Sequence, residues 1–368
     1  MRCVVAASVV VACYTPRPPA GAPCDPNGCP DGLVCSPASD TCEVTAVDAP
    51  IDVAIDAPPV PSTFLYRRRI AITNTSTSEM PAGFTVRVPL GATLAALVSA
   101  GKVRADFSDL RVIGDAAGER DRIVDPPNGA ASPGLSFSAK TSIAAGGTSN
   151  DYALYYGAPA ATAAPANGAK VFPVYDDFAA GLSPIWVTSD GPTTSNGKLV
   201  LRANHTDSVT TNAATDNLPI VSAIELSVAV VDPTSAPTVQ PGGTFYYWFG
   251  YQHTDFAPVV PWVIWIARGA SEIRAEQESP VGCEVGCFGA QAVQNTATHY
   301  FSIERDPAAT RFYRDGVLSF TATVTNSEDY SVMARNFMAA SDVQFDWIRA
   351  RARVSPDPTV DVGVEDAP

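Results

Sequence analysis

Residues 311–324, RFYRDGVLSFTATV, decide the fold class expected for this chain. Asp315 and Gly316 stand between two runs rich in aromatic and apolar residues, and an Asp-Gly pair in that position is the strongest local signal for a tight β-hairpin. Residues 84–90, FTVRVPL, alternate apolar and polar side chains, which is the period of a half-buried strand. Many short strands with turn residues between them predict an all-β protein built from β-sandwiches.

The length and charge of the chain limit its possible functions. Its 368 residues exceed one typical domain, so two folded units are expected. Its 24 Lys and Arg residues against 38 Asp and Glu residues give a net charge of -14, whereas a protein that binds a nucleic-acid backbone presents a basic face. The composition therefore predicts no nucleic-acid partner and fits an exported or surface protein.

The N-terminal residues 1–13, MRCVVAASVVVAC, resemble a bacterial lipoprotein signal. Their apolar run is too short to span a bilayer. The resemblance implies that residues 1–12 are removed, that Cys13 is lipidated, and that the lipid anchors an exported protein to the cell envelope, most simply the outer membrane. A truncated ordinary signal peptide or a wrongly assigned start codon remain alternatives.

Cysteines follow this segment at close spacing. In an exported chain such density predicts a disulfide-stapled module, assigned here to residues 13–45. Four cysteines allow three pairings, and a zinc site is disfavoured because paired C-x2-C spacing is absent. A further pair near residue 285 predicts a loop-closing disulfide, since a redox site lacks the C-x-x-C spacing. The six residues expected in disulfides are Cys24, Cys29, Cys35, Cys42, Cys283 and Cys287.

Composition divides the rest of the chain. Residues 46–62 repeat Asp-Ala-Pro and predict an extended linker. Residues 63–175 and 176–355 carry the strand patterns of two sandwiches, with one short helix expected at residues 93–102. The acidic, Pro-rich residues 356–368 predict a disordered tail.

The first strand-rich region resembles the family called domain of unknown function 2341. The resemblance rests on YRRRIAITN at residues 66–74, ADFSDLRVIGDAAGE at residues 105–119, and LYYG followed by NGAKVF at residues 154–172. One departure is Phe64, where the family usually has Trp. Because the family has no established activity, the resemblance implies a surface or adhesion protein and carries over no catalytic residue.

The second region resembles the concanavalin A-like lectin and glucanase jelly roll. YDDF, NGKLVL, HYFSIERD, TRFYRDGVL and FDWIRAR occur in the order typical of that superfamily. The resemblance implies non-catalytic binding or adhesion, with a glycan or another surface macromolecule as partner. A divergent glycoside hydrolase and a purely structural envelope protein are the alternatives.

Asp176 and Asp177 are adjacent, so on a strand their side chains point to opposite faces and cannot act as one acid-base pair. The jelly-roll resemblance implies instead a possible structural calcium between Asp177 and Asp346. Calcium requires six or more oxygen ligands, so the alternative is that these residues cap turns. No other cofactor is expected.

SEIRAEQE, residues 271–278, is the segment that a hydrolase would use. Glu272 and Glu276 share one face of a strand, as paired glucanase carboxylates do. Arg274 stands where the glucanase motif has Asp, and its permanent charge opposes the protonated acid that a glycosidase needs. The expectation is therefore that no residue is catalytic.

The aromatic runs FYYWFGYQH, residues 245–253, and PWVIWI, residues 261–266, supply the candidate binding surface. Both faces of the first run are aromatic, so one face packs in the core while the other is available for a ligand. The alternative is that both faces are buried between sheets. The residues expected to stack on a sugar or flat ligand are Tyr246, Trp248, Gln252 and Trp262.

Overall fold

The structure is a computed structural model that describes residues 24, 29, 33–36, 41–44, 64–114, 118–125, 134–212, 218–230, 247–252, 262–267, 272–278, 289, 292–293, 295–323 and 329–367. The chain forms two compact units, residues 1–59 and residues 60–368. Cys13, Tyr246, Cys283 and Cys287 lie outside the described residues. Within the described part, no helix is long and apolar enough to cross a membrane.

The first unit contains a two-stranded antiparallel hairpin, β1 (Leu33–Ser36) and β2 (Thr41–Val44). Disulfides join Cys24 to Cys35 and Cys29 to Cys42. The expected disulfide-rich module is therefore present, and its pairing is one of the three that the sequence left open. Because Cys35 and Cys42 face each other across the hairpin, the two bridges fasten Cys24 and Cys29 to its two strands.

Two sheets and one helix form the first sandwich of the second unit. The elements are β3 (Tyr66–Thr73), β4 (Thr85–Val88), α1 (Gly91–Ser99), β5 (Arg111–Gly114), β6 (Gly118–Arg120), β7 (Arg122–Asp125), β8 (Gly134–Ser138) and β9 (Thr148–Tyr156). Strands β3, β9, β5 and β6 are neighbours in one sheet, and β4, β8 and β7 in the other. A single 3-10 turn, Gly168–Lys170, follows. The expected helix and the strand in residues 84–90 are both observed.

Alternation along β4 shows how the sequence builds this sandwich. Phe84, Val86 and Val88 enter its core with Ile70 and Ile72 of β3. Arg87, between the two valines, points away from that core and forms an ion pair with Glu225 of the second sandwich. The period of two therefore fills one core and also supplies a contact between the sandwiches.

The second sandwich contains most of the remaining strands. They are β10 (Val174–Asp176), β11 (Trp186–Ser189), β12 (Thr193–Ser195), β13 (Lys198–Leu201), β14 (Ser208–Thr211), β15 (Ser222–Val230), β16 (Tyr247–Gln252), β17 (Trp262–Ala267), β18 (Glu272–Glu278), β19 (Ala292–Val293), β20 (His299–Asp306), β21 (Ala309–Arg314), β22 (Val317–Ala322), β23 (Ser331–Asn336) and β24 (Val343–Ala352).

These strands form two antiparallel sheets that pack face to face. One sheet has the order β12-β13-β24-β15-β20-β21-β22, with β10 also paired to β24, and the other has the order β11-β14-β23-β16-β17-β18-β19. Phe249 from the second sheet meets Phe301 and Phe345 from the first at ring-centroid distances of 5.0 and 5.8 Å. The expected all-β architecture with two sandwiches is confirmed.

The hairpin between β21 and β22 has the turn that its sequence predicts. Asp315 and Gly316 have φ angles of 51° and 78°. Positive φ at both central residues is the type I′ geometry that suits the twist of a two-residue hairpin. Asp315 also accepts a 2.9 Å hydrogen bond from the backbone N–H of Tyr300, which fixes the turn to the neighbouring strand β20.

The expectation of a disordered tail is wrong. Residues Thr359–Val362 form β25, which pairs antiparallel with the edge strand β3. Val360 and Val362 pack against the first core, and Asp366 forms a 2.7 Å ion pair with Arg67. Residues 359–366 therefore complete the first sandwich, because alternating valines and basic partners far away in sequence offset the disorder that the composition alone suggests.

A buried ion network connects the two sandwiches within the second unit. Arg349 of β24 contacts Asp125 of β7 and Glu225 of β15, and Arg87 of β4 contacts Glu225 as well. Burial by itself raises the pKa of Glu225, but the charges of Arg87, Arg349 and Arg351 outweigh it and bring that pKa to about 2. Each charge in the network thus has an opposite charge beside it, as buried ions require.

Candidate ligand-binding site

The seven-stranded sheet of the second sandwich turns one face to the core and the other outward. In β16 and β17, Phe249 and Trp265 enter the core, whereas Trp248 and Trp262 lie on the opposite, outer face. A pocket of about 190 Å³ opens on this outer face. This outer pocket is lined by Trp248, Gln252, Trp262, Ile264, Ile266, Met333, Arg335 and Phe337.

The register of the strands places the side chains of the outer pocket in rows that run across the sheet. Arg335 of β23 faces Trp248 of β16, and four residue pairs further along the sheet Gln252 faces Trp262 of β17. Gly250 lies between these two rows and contributes no side chain. The strand partners of Gly250, Ile264 and Met333, line the pocket between the two rows.

Three of the four predicted ligand-binding residues are brought together in this pocket, and the fourth, Tyr246, is not described. Trp248 is only 8 % exposed and its ring lies 6.2 Å from that of Phe337. Trp262 is partly exposed. The indole of Trp262 is thus the larger accessible surface, while Trp248 forms part of the wall behind it.

Glu276, one of the two carboxylates that a hydrolase would use, borders this surface. Its Oε1 accepts a 3.2 Å hydrogen bond from Nε1 of Trp262, and its Oε2 accepts a 3.1 Å hydrogen bond from Nη2 of Arg274. Glu276 is 0 % exposed. Glu272 lies on the same strand, β18, but its side chain is not among those described. The described carboxylate is therefore held by protein donors and does not project into open space.

Arg335 is the site residue that sequence reasoning missed. Its guanidinium carbon lies 5.3 Å from the ring centre of Trp248 and 5.6 Å from that of Phe337. Burial lowers the pKa of Arg335, with the charge of Asp190 acting in the opposite direction. The signal was present in SVMARN, residues 331–336, whose alternation places Met333 and Arg335 on one face of β23.

The two carboxylates proposed for calcium have separate partners. Asp177 is exposed, and its Oδ1 accepts a 3.2 Å hydrogen bond from the backbone N–H of Ala179. Asp346 forms a 2.7 Å ion pair with Lys198 and accepts a 2.9 Å hydrogen bond from Ser227. Among the described side chains, the one cluster with metal-ligand character is Cys24, Cys29 and Cys42, all in disulfides. Calcium at Asp177 and Asp346 stays a prediction.

Asp176 has a structural role that the sequence did not reveal. Its Oδ2 accepts hydrogen bonds from Nε1 of Trp186 at 2.8 Å and from the backbone N–H of Ser183 at 2.9 Å, and its Oδ1 accepts one from Phe178 at 2.8 Å. This carboxylate therefore closes the loop after β10 and is separated in function from the exposed Asp177.

Comparison with known proteins does not assign the chain to a family. No family model matches it, and no curated protein matches it. Solved structures similar to it include the laminarinase catalytic domain from Thermotoga maritima, at 12 % identity over 50 % of this chain and 98 % of that chain, with a TM-score of 0.39.

Two further solved structures that resemble the chain are a glucanase and a carbohydrate recognition domain. An endo-β-1,3-glucanase from Pyrococcus furiosus is 10 % identical over 49 % of this chain and 94 % of that chain, with a TM-score of 0.39. The carbohydrate recognition domain of Emp47p is 12 % identical over 46 % of this chain and 90 % of that chain, with a TM-score of 0.36.

Proposed function

We propose that this chain is an exported, non-catalytic glycan-binding protein and that the outer pocket holds the glycan. The observation that supports this proposal is the partly exposed indole of Trp262, which stands beside Gln252 in a mostly apolar pocket. A concave, mostly apolar surface with a few placed polar groups is the usual form of a ligand site.

Sugars match this combination of groups. One face of a sugar ring presents C–H groups, which pack on a flat aromatic surface, and its edge presents hydroxyls. Indole rings supply a large apolar area with a polar tip, and an amide such as that of Gln252 both donates and accepts hydrogen bonds. The row of Gln252 and Trp262 thus places the partly exposed plane of an indole beside a polar side chain.

The contacts of Glu276 favour binding over hydrolysis. A retaining glycosidase needs one protonated and one ionised carboxyl group beside the scissile bond. Both oxygens of Glu276 accept hydrogen bonds from protein groups, and one donor is the permanently charged Arg274. A carboxylate held in this way serves to orient Trp262 and is poorly placed to donate a proton.

We also propose that Cys13 carries a lipid that anchors the protein in the cell envelope. The lipoprotein-like residues 1–13 support the anchor, and the two disulfides in the first unit support an oxidising location. Partition of the expressed protein into Triton X-114 tests the anchor. Wild type is expected in the detergent phase and Cys13→Ser in the aqueous phase, and equal partition of both would contradict it.

The binding proposal is tested by screening the full chain against an array of oligosaccharides. For each oligosaccharide that binds, Trp262→Ala is expected to weaken affinity about tenfold, since an aromatic contact is worth about 1 kcal/mol beyond its area. Trp347→Ala is the matched control, because Trp347 is also partly exposed but lies on the other sheet. Unchanged affinity in Trp262→Ala, or no binding to any glycan, would contradict the proposal.

A further inference from the structure

Arg335 contributes a cation to the outer pocket. Among the residues that the structure describes, it forms no ion pair, and its buried Nε has no hydrogen-bond partner. Its contacts in the pocket are the faces of Trp248 and Phe337. The described neighbours of this partly exposed guanidinium are therefore aromatic faces, and the charge of Asp190 also acts on it.

This arrangement leaves part of the cost of burying the charge without compensation. Desolvating a cation is unfavourable unless an opposite charge or hydrogen-bond acceptors replace the lost water. Contact with aromatic faces offsets some of that cost but supplies no acceptor for the N–H groups. Arg349 shows the contrast, because its guanidinium is bonded to the carboxylates of both Asp125 and Glu225.

We infer that the outer pocket selects acidic glycans and that Arg335 binds the carboxylate of a uronic acid residue. This inference rests on the proposed glycan-binding function. A guanidinium matches a carboxylate because its planar N–H groups donate two parallel hydrogen bonds to the two oxygens. Because the Nε of Arg335 is buried, the two terminal Nη groups are the donors that such a pair would use.

Strand geometry sets the length of the ligand. Trp262 and Arg335 lie two strands apart and four positions apart along the strands. At about 3.3 Å per residue and about 4.8 Å per strand, their backbones are separated by roughly 16 Å. That span exceeds a single sugar ring. The ligand is therefore an oligosaccharide with one ring stacked on Trp262 and the carboxylate of another ring at Arg335.

Because the chain has a large negative net charge, attraction of an acidic glycan depends on short-range contact with Arg335 and not on the overall charge of the protein. A protein with a net charge of -14 repels polyanions at a distance, and salt screens that repulsion. The affinity of an acidic glycan that contacts Arg335 is consequently expected to change little between 50 mM and 300 mM NaCl. Nonspecific attraction of a polyanion to a basic surface would instead weaken steeply over the same range.

The test compares hexamers of galacturonate, mannuronate and glucuronate with their methyl esters, which keep the sugar rings and remove the charge. Calorimetric titration of the full chain is expected to show at least tenfold tighter binding of one acid than of its ester. Arg335→Gln is expected to abolish that difference, and Arg335→Lys to retain part of it. Arg314→Gln, which changes a partly buried arginine on the other sheet, is the matched control and is expected to keep the difference.

Each other result overturns the inference. Equal binding of acid and ester, a preference that survives Arg335→Gln, or a preference for sulfated over carboxylated sugars would each do so. Binding of neutral oligosaccharides alone, lost in Trp262→Ala, would overturn the acidic specificity and leave the proposed function intact. Failure of every charged and neutral oligosaccharide to bind would overturn both.

Discussion

The guanidinium of Arg349 donates two parallel hydrogen bonds to the carboxylate of Asp125, at 2.9 Å from Nη1 to Oδ1 and 2.7 Å from Nη2 to Oδ2. The two residues belong to different sandwiches and are separated by 224 positions in sequence. Arg349 also packs on the ring of Trp347 at 4.4 Å. This bidentate pair is therefore a specific contact between the sandwiches, and its strength can be measured.

Removing the carboxylate of Asp125 is expected to lower the free energy of unfolding by about 3 kcal/mol, because a buried charge loses a partner. Urea unfolding of Asp125→Ala, followed by fluorescence, measures the change. Lys170→Ala is the control, since its ammonium is 3.4 Å from Asp121 but the side chain is 68 % exposed. The control is expected to lose less than about 1 kcal/mol. Equal losses in the two variants would contradict the structural role of the pair.

Acid is expected to destabilise the protein through Glu225. Its pKa in the folded protein, about 2, is below its ordinary value of 4.5, so the ionised form stabilises the fold at every pH above about 4.5. That contribution, on the order of 3 kcal/mol, is lost as the pH falls from about 4.5 to about 2. Urea midpoints at pH 7, 5, 4 and 3 measure it.

Glu225→Gln provides the matched comparison for the acid effect. It is expected to be less stable than wild type at pH 7 and to lose less stability between pH 5 and pH 3, because the titrating group is absent. Asp357, whose pKa is also lowered by its arginine partners despite its burial, retains its own share of the acid dependence. Parallel acid curves for wild type and Glu225→Gln would show that Glu225 is not the group responsible.

Truncation after Ser355 is expected to destabilise the first sandwich. It removes β25, and with it Val360 and Val362, from the edge of β3. Loss of two partly buried valines costs about 3 kcal/mol, which corresponds to a fall of roughly 5–10 °C in Tm. Calorimetry measures Tm, and hydrogen exchange of the β3 amides locates the change.

Asp366→Asn separates the role of the strand from that of its terminal ion pair. The pair with Arg67 is largely exposed, so this variant is expected to change the free energy of unfolding by less than about 1 kcal/mol. If the truncated chain melts at the same temperature as wild type, β25 adds nothing to the stability of the sandwich.

Gly250→Ala is expected to cost about 2–4 kcal/mol in the free energy of unfolding. Gly250 has a φ of +143°, and a Cβ there would lie 2.5 Å from the carbonyl oxygen of Val263 and 2.8 Å from Cδ1 of Ile303. Gly146→Ala is the control, because Gly146 has a φ of +71° and open space around its Cβ position. In the control only backbone strain is introduced, and it is expected to lower the free energy of unfolding by about 1 kcal/mol. Similar decreases in the two variants would show that the steric clash at Gly250 contributes nothing.

The features that the sequence predicted correctly depend on neighbours in the chain. Local sequence specifies three of them: the turn at Asp315 and Gly316, the alternation along β4 and the short helix α1. The disulfide-rich module was expected from cysteine spacing, but its pairing required the hairpin that places Cys35 opposite Cys42.

The features that the sequence did not predict depend on distant partners. Residues 359–362 have the composition of a disordered tail and become a strand because β3, almost 290 residues earlier, offers an open edge. Arg335 was overlooked because the alternation in SVMARN places it on one face of a strand but does not show that this face meets Trp248 of β16. The contact of Arg349 with Asp125 likewise exists only after both sandwiches have folded.

The antiparallel pairing of β25 with β3 also determines how the second unit responds to force. Arg67 and Asp366 face each other where this pair of strands begins, so residues 64 and 367 leave the fold side by side. A pull between those residues would load the pair of Arg67 and Asp366 first and then each following pair in turn, as far as Thr73 and Thr359. The residue pairs of β25 and β3 would therefore break one after another. The force needed to separate the two strands would be the force that breaks a single residue pair.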